Sequence, residues 1–123
     1  MYELKDYDCS DVPVYLDKWW PEDPSDIYFT VNLTIGPDDS EGGSNFQYTI
    51  ATPKGLARVA ALYSPFDIQR RAILIVEFFD WRKIRNIIDE IIEKCDDRDP
   101  VTTQWKLQRY FCWEYEDYNL VSA

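Results

Sequence analysis

The 123-residue sequence predicts one α+β domain spanning residues 1–123: an antiparallel or mixed sheet with about three helices mostly on one face. Two patterns carry this prediction. Between Ile27 and Ile35, apolar and polar residues alternate with a period of two, as in a strand with one buried face. Between Trp81 and Cys95, apolar residues recur every three or four positions, as in a helix with one buried stripe. Strands and helices in this irregular order are typical of two-layer α+β domains.

The N-terminal part predicts three strands. Residues 1–9 form a short strand, and three prolines between residues 11 and 26 make the next segment irregular, because proline interrupts ladders and helices. The alternation of residues 27–35 recurs over residues 46–50. We therefore expect these two segments to form an antiparallel hairpin whose long acidic tip is residues 36–44.

The C-terminal part predicts helices that begin at clear capping residues. Thr52-Pro53 starts a short helix that continues to Tyr63, and residues 72–79 are an apolar run typical of a central strand covered on both faces. Asp80 caps the long helix, whose stripe we expect to be core rather than a partner groove. That stripe comprises Trp81, Ile84, Ile87, Ile88, Ile91, Ile92 and Cys95.

The last two elements follow the same logic. Asp99-Pro100 repeats the cap-then-proline pattern and predicts a third helix that ends near Tyr110. Residues 111–118 then predict a closing strand, in which Glu114 and Glu116 alternate with aromatic residues and share the outward face.

Negative charge is concentrated in the first part of the chain. Residues 1–51 hold eleven acidic and two basic residues, a net charge of −9, whereas residues 52–123 hold twelve acidic and eleven basic residues, a net charge of −1. Charge affects association rather than topology. The asymmetry therefore predicts a surface that meets a basic partner, and the scarcity of cations argues against direct binding to nucleic acid.

The composition excludes most enzyme classes. The chain has no histidine, which removes the usual general base and the commonest metal ligand. It has no glycine-rich nucleotide-binding motif, and its paired carboxylates are neighbours in loops rather than groups facing each other across a cleft. We expect no enzymatic activity, no cofactor, no metal and no small-molecule ligand.

The three cysteines and the lack of a long apolar segment indicate the cellular compartment. Their number is odd and their spacings are long, so free thiols in a reducing cytoplasm are expected. The start of the sequence lacks a signal-peptide pattern, and no apolar run is long enough to span a bilayer, so membrane contact is not expected.

Three acidic or aromatic segments are candidates for binding the partner. The first pairs two tryptophans with two carboxylates, the second is the hairpin tip, and the third is the closing strand. An alternative is that at least one tryptophan covers the sheet core and that the carboxylates are only solvated. The candidates are Trp19, Trp20, Glu22 and Asp23 in the first, Asp38, Asp39 and Glu41 in the second, and Glu114 and Glu116 in the third.

Several motifs resemble the immunity-protein-8 family. Residues 17–29, DKWWPEDPSDIYF, preceded by Leu16 at the place of the family's leucine, are similar to its LxxWxPEDPxxF pattern. Residues 113–118, WEYEDY, are similar to its WEFEDY-like ending. Shorter matches over residues 35–37, 52–54 and 75–81 keep the same order, so the resemblance spans about residues 4–118. Trp20 stands at an often polar position and Gly55 at an often bulky one.

The resemblance implies an antidote of a bacterial polymorphic-toxin or contact-dependent growth inhibition system. Such a protein is cytoplasmic and blocks the toxin domain at the C-terminal end of a large secreted effector. Many of these toxins are nucleases with basic clefts, which an acidic inhibitor complements. Active-site and exosite inhibition both remain open. The alternatives are an acidic adaptor or subunit of another complex and a small ligand-binding or enzymatic domain.

Overall fold

The computed structural model describes residues 1–12, 14–62 and 72–114. Within these ranges a mixed five-stranded sheet and three helices confirm the α+β prediction. The strands are β1 (Tyr2–Asp8), β2 (Tyr28–Pro37), β3 (Ser44–Ala51), β4 (Ile73–Ile75) and β5 (Cys112–Trp113). The helices are α1 (Pro53–Ala60), α2 (Trp81–Cys95) and α3 (Pro100–Leu107).

The first three strands form an antiparallel meander in the order β1-β2-β3. Phe29 pairs with Ile50 and Leu33 with Phe46, which confirms the predicted hairpin. The other edge of β3 is shared by two short strands. Parallel β4 pairs with its last three residues, and antiparallel β5 pairs with Phe46 and Gln47.

One face of the sheet carries the core. The alternating apolar residues of β2 and β3 pack beneath the apolar stripe of α2, with Leu107 of α3 and Phe111 completing the layer. Burial of each large side chain contributes about 1.5–3 kcal/mol. The fully enclosed residues include Val31, Leu33, Ile50, Ile88 and Leu107.

The helix starts are the predicted ones. Thr52, Asp80 and Asp99 each cap a helix through a side-chain oxygen that accepts a backbone N–H of the first turn. Thr52 also ties α1 to the sheet, because its Oγ1 accepts a hydrogen bond from the Ile27 amide at 3.0 Å. Capping residues therefore place α1 at one end of the sheet, while α2 lies on the inner face.

The predicted central strand over residues 72–79 is wrong. The strand covers only Ile73–Ile75, pairs with β3 at the sheet edge, and leaves Ile75 48% exposed. After one further hydrogen bond, from the Val76 amide to the Ala51 carbonyl, the chain leaves the sheet. It turns because Phe79 packs inward against Phe29. The apolar run therefore contains both a short edge strand and Phe79, a separate residue buried in the core.

Other boundaries also differ. α3 ends at Leu107 rather than near Tyr110, because residues 108–110 form a turn that brings Phe111 into the core. α1 ends at Ala60, and Tyr63 lies outside the described residues. Of the predicted closing strand, Cys112–Trp113 is present and residues 115–118 lie outside the described residues.

The apolar stripe of α2 is narrower than predicted. Ile84, Ile88 and Ile92 are buried, whereas Ile87 and Ile91 are only half-buried at its margin. No helix in the described ranges is long and apolar enough to cross a bilayer.

Candidate functional site

The sheet face opposite the core is polar, and we call it the outer face. It is formed by the side chains of β1, β2 and β3 that alternate with the buried ones, together with those flanking or within β5. Residues directly opposite one another in antiparallel strands point to the same side, so the register defines its members. They are Asp6, Asp8, Thr30, Asn32, Thr34, Asn45, Gln47, Thr49, Cys112 and Glu114.

Two rows of hydrogen bonds cross the outer face from strand to strand. In the first, Gln47 Nε2 donates to Asn32 Oδ1 at 3.4 Å, and Asn32 Nδ2 donates to Asp8 Oδ1 at 2.8 Å. In the second, Thr34 Oγ1 donates to Asn45 Oδ1 at 2.9 Å, and Asn45 Nδ2 lies 3.4 Å from both carboxylate oxygens of Glu114. Each row ends on a carboxylate, so the amide donors point toward acceptors of the same surface.

Asp11 extends this surface beyond the end of β1. Its Oδ2 accepts the backbone amide of Thr30 at 2.9 Å, and the thiol of Cys9 donates to the Thr30 carbonyl at 3.2 Å. Burial raises the pKa of the Cys9 thiol and keeps it protonated as a donor. The two side chains replace the ladder partners that Thr30 lacks there, which fixes Asp11 at the rim.

Two depressions lie on the outer face. The larger, about 580 Å³, includes Asp11, Tyr28 and Thr30 in its lining, and the smaller, about 280 Å³, includes Asp6, Asp8 and Glu114. No lysine or arginine of the described chain lines either depression. Among the described residues, none of the carboxylates of Asp6, Asp8, Asp11 and Glu114 forms an ion pair. The outer face therefore carries four negative charges that no cation of the described residues compensates.

The two tryptophans of the first candidate segment have different environments. Trp19 is half-buried, and its ring centroid lies 4.8 Å from that of Phe79 and 5.8 Å from that of Phe29. Trp20 is 64% exposed, and its ring meets that of Phe79 edge-on with the two ring centroids 5.9 Å apart. Trp19 therefore covers the sheet core, and Trp20 offers its ring to solvent.

The neighbouring carboxylates also differ. Asp23 accepts hydrogen bonds from the Ser25 hydroxyl at 2.6 Å and the Ser25 amide at 3.0 Å, and its other oxygen pairs with Lys54 Nζ at 3.0 Å. The Ser25 hydroxyl, then Lys54, hold the pKa of Asp23 down at about 2. Glu22 is exposed. The charge of Asp23 is thus partly neutralised within the protein.

The hairpin tip lies at the opposite end of β2 from the tryptophan segment. Asp38, Asp39 and Glu41 are exposed there, and the carboxylate of Asp38 lies 3.4 Å from the N-terminal amine of Met1. β2 has ten residues, so its two ends are about 30 Å apart. The structure therefore does not bring these two candidate segments together. Glu114 belongs to the outer face, and Glu116 lies outside the described residues.

Sequence reasoning missed most of the outer face. Asp6, Asp8, Asp11, Asn32 and Gln47 were not singled out, although the period-two alternation of β2 already separated its polar residues from its buried ones. Within the described chain, no group of three potential ligands could hold a metal ion. The outer face presents carboxylate, amide and hydroxyl groups, which can form hydrogen bonds and attract positive charge.

The comparisons with known proteins identify the family. The model of the family described as immunity protein 8 matches residues 2–118. Searches of curated proteins and of solved structures each returned no significant match. Since the family match spans nearly the whole chain, the protein belongs to the immunity protein 8 family, and this membership implies the neutralisation of a toxin partner.

Proposed function

We propose that this protein acts in the bacterial cytoplasm, where it binds the C-terminal toxin domain of a large secreted effector. The toxin system is of the polymorphic or contact-dependent growth inhibition type. The target we infer is a nuclease whose basic active-site cleft the inhibitor occupies. The observation that supports this target is the set of four carboxylates on the outer face that form no ion pair with any described residue.

The physical argument is charge complementarity. A nuclease attracts phosphates with lysine and arginine, so a protein that presents fixed carboxylates competes for the same side chains. Complementary charge raises the association rate more than it raises affinity. A fast association rate suits an antidote, since it must reach the toxin before the toxin reaches nucleic acid.

The protein itself is proposed to be non-catalytic and free of cofactors. The family is generally non-enzymatic, and the sequence has no histidine to act as a base. The carboxylates of the outer face hydrogen-bond to amide donors rather than to a nucleophile. Neutralisation would therefore work by occupancy of the toxin surface and not by its modification.

The residues predicted from the sequence remain proposed contacts, but they differ in how accessible they are to a partner. Trp20, Glu22, Asp39, Glu41 and Glu114 are exposed and available to a partner. Trp19 packs against the core, while Asp23 and Asp38 are already ion-paired. Glu116 is retained on its sequence pattern.

A binding and inhibition assay tests the proposal. The partner to test is the C-terminal domain of a large secreted protein sought in the gene immediately upstream. This domain is purified, its cleavage of RNA and DNA is measured, and the immunity protein is titrated into the reaction. We expect stoichiometric inhibition and an association rate that falls as NaCl rises from 50 to 500 mM, because salt screens exposed charges. A toxin domain with no nuclease activity, or an association rate independent of salt, would contradict the proposed target.

A further inference from the structure

We propose that the outer face is the surface that receives the toxin, and that its occupant is a toxin segment presenting arginine or lysine side chains across β1, β2 and β3. This inference rests on the proposed function, since it assumes a toxin domain with a basic binding site. It places the centre of the interface on the sheet and not on the hairpin tip or the tryptophan segment.

The shape of the outer face fits such a segment. Asn32 and Gln47 line both depressions, so the two spaces meet at these side chains and form one groove across the sheet. Asp6, Asp8 and Glu114 stand around one end of this groove, and Asp11 stands at the other. A chain laid along the groove would pass carboxylates at both ends.

The hydrogen-bonding character of the groove selects the same occupant. The amides of Asn32, Asn45 and Gln47 each direct a nitrogen to an oxygen of the same surface. Carboxylate oxygens have further lone pairs, so the surface retains acceptors beyond those that its own amides use. Arginine and lysine bring donors and positive charge together, and a carboxylate can accept the guanidinium fork in a bidentate manner.

Position and rigidity separate the outer face from the other acidic segments. Asp6 and Asp8 lie on a paired strand, Asp11 is held against Thr30, and the backbone amide of Glu114 donates to the Asn45 carbonyl at 3.1 Å. Little ordering is therefore needed on binding. By contrast, Asp23 is paired with Lys54, and Asp38 with the N-terminus. Charge that is already compensated within the protein contributes less to attraction.

The test removes charge from the outer face while keeping its shape. The variant combines Asp6→Asn, Asp8→Asn and Asp11→Asn, so that an acceptor oxygen remains for Asn32 and Thr30. The matched control removes three exposed carboxylates that form no ion pair among the described residues and line neither depression, by Glu77→Gln just before α2 and by Glu90→Gln and Glu93→Gln on α2. Affinity for the purified toxin domain is measured by calorimetry at 50 and 200 mM NaCl.

We expect the outer-face variant to bind at least about tenfold more weakly, equivalent to 1.4 kcal/mol, and to depend less on salt. The control should bind within about twofold of wild type at both salt concentrations, a change below 0.5 kcal/mol. Wild-type affinity for the outer-face variant, or an equal loss in the control, would overturn the proposal.

A second variant tests the groove without touching β1. Gln47→Arg places a long cation where the two depressions meet, on an exposed position of β3. It should abolish neutralisation while thermal unfolding stays close to wild type. If wild-type protein binds and inhibits the toxin but both outer-face variants do so equally well, the docking surface is wrong and the function stands. If wild-type protein binds no toxin domain, the proposed function itself fails.

Discussion

The α-carbon of Gly55 lies against the backbone carbonyl of Ile27, and any β-carbon on residue 55 would collide with it. Thr52 holds this contact in place, because its amide donates to the Ile27 carbonyl at 3.0 Å and its hydroxyl accepts the Ile27 amide. The first turn of α1 can therefore lie flat on the start of the β2 segment only when residue 55 has no side chain.

Gly55→Ala should therefore destabilise the protein. Helix propensity alone would favour alanine by about 1 kcal/mol, but overpacking costs about 1–3 kcal/mol and has the opposite sign. Urea unfolding measures the difference. Gly42→Ala is the control, since a β-carbon there meets nothing within 4 Å, and it should change stability by less than about 0.5 kcal/mol. Equal or greater stability in Gly55→Ala would refute the close contact.

The tryptophan pair should separate stability from binding. Trp19→Ala removes a half-buried ring from the cluster with Phe29 and Phe79 and should lower stability by about 3 kcal/mol, the lower end of the range for buried aromatic residues. Trp20→Ala should change the melting temperature little, because the side chain is 64% exposed, and should weaken toxin binding if it is an anchor. Thermal unfolding and calorimetry on both variants check this. A loss of stability in Trp20→Ala with a loss of binding alone in Trp19→Ala would contradict this assignment.

The centre of the α2 stripe should behave as core and not as an interface. Ile88 has no exposed surface, so Ile88→Ala should cost about 2–5 kcal/mol and reduce protein abundance and protection together. Ile75→Ala, at a position 48% exposed, is the matched control and should cost much less. A folded Ile88→Ala protein of normal stability that had lost only toxin binding would argue for an interface on this helix.

Acid should reveal the hydrogen bonds of Asp23. Its pKa is about 2 in the folded protein against an ordinary 3.8, so its contribution to stability is present above the ordinary value and is lost as pH falls through about 2. The stability gap between wild type and Asp23→Ala should therefore narrow between pH 4 and pH 2. Urea midpoints across this range measure the gap. Ser25→Ala, which removes the shortest hydrogen bond, should show a smaller version of the same trend. A gap that stays constant would contradict the assignment.

The sequence predicts the parts of the fold that depend on local pattern. The alternation in β2 and the caps at Thr52, Asp80 and Asp99 are local properties, and the structure confirms each. The prediction of one central strand over residues 72–79 was wrong. Hydrophobicity alone does not distinguish such a strand from a short edge strand followed by a residue that packs into the core.

The outer face could not be derived in the same way. Asp8, Asn32 and Gln47 come from three strands, and only the strand register places them in one row. The charge asymmetry along the chain indicated the sign of the surface but not its location. Similarly, the sequence predicted Asp23 as a candidate contact, but it could not show that Lys54, 31 positions later, forms an ion pair with it.

The pairing of β5 with β3 also determines when, during synthesis, the sheet can be completed. Trp113 pairs with Phe46, 67 positions earlier, so the part of the β3 edge that β4 leaves uncovered stays open until residues 112–113 have been synthesised. Pairing between distant segments slows folding, and an open edge can recruit other strands. A chain interrupted before residue 112 should therefore aggregate more readily than the full chain. A pause in translation before residue 113 would therefore lengthen the time for which this part of the sheet edge is exposed.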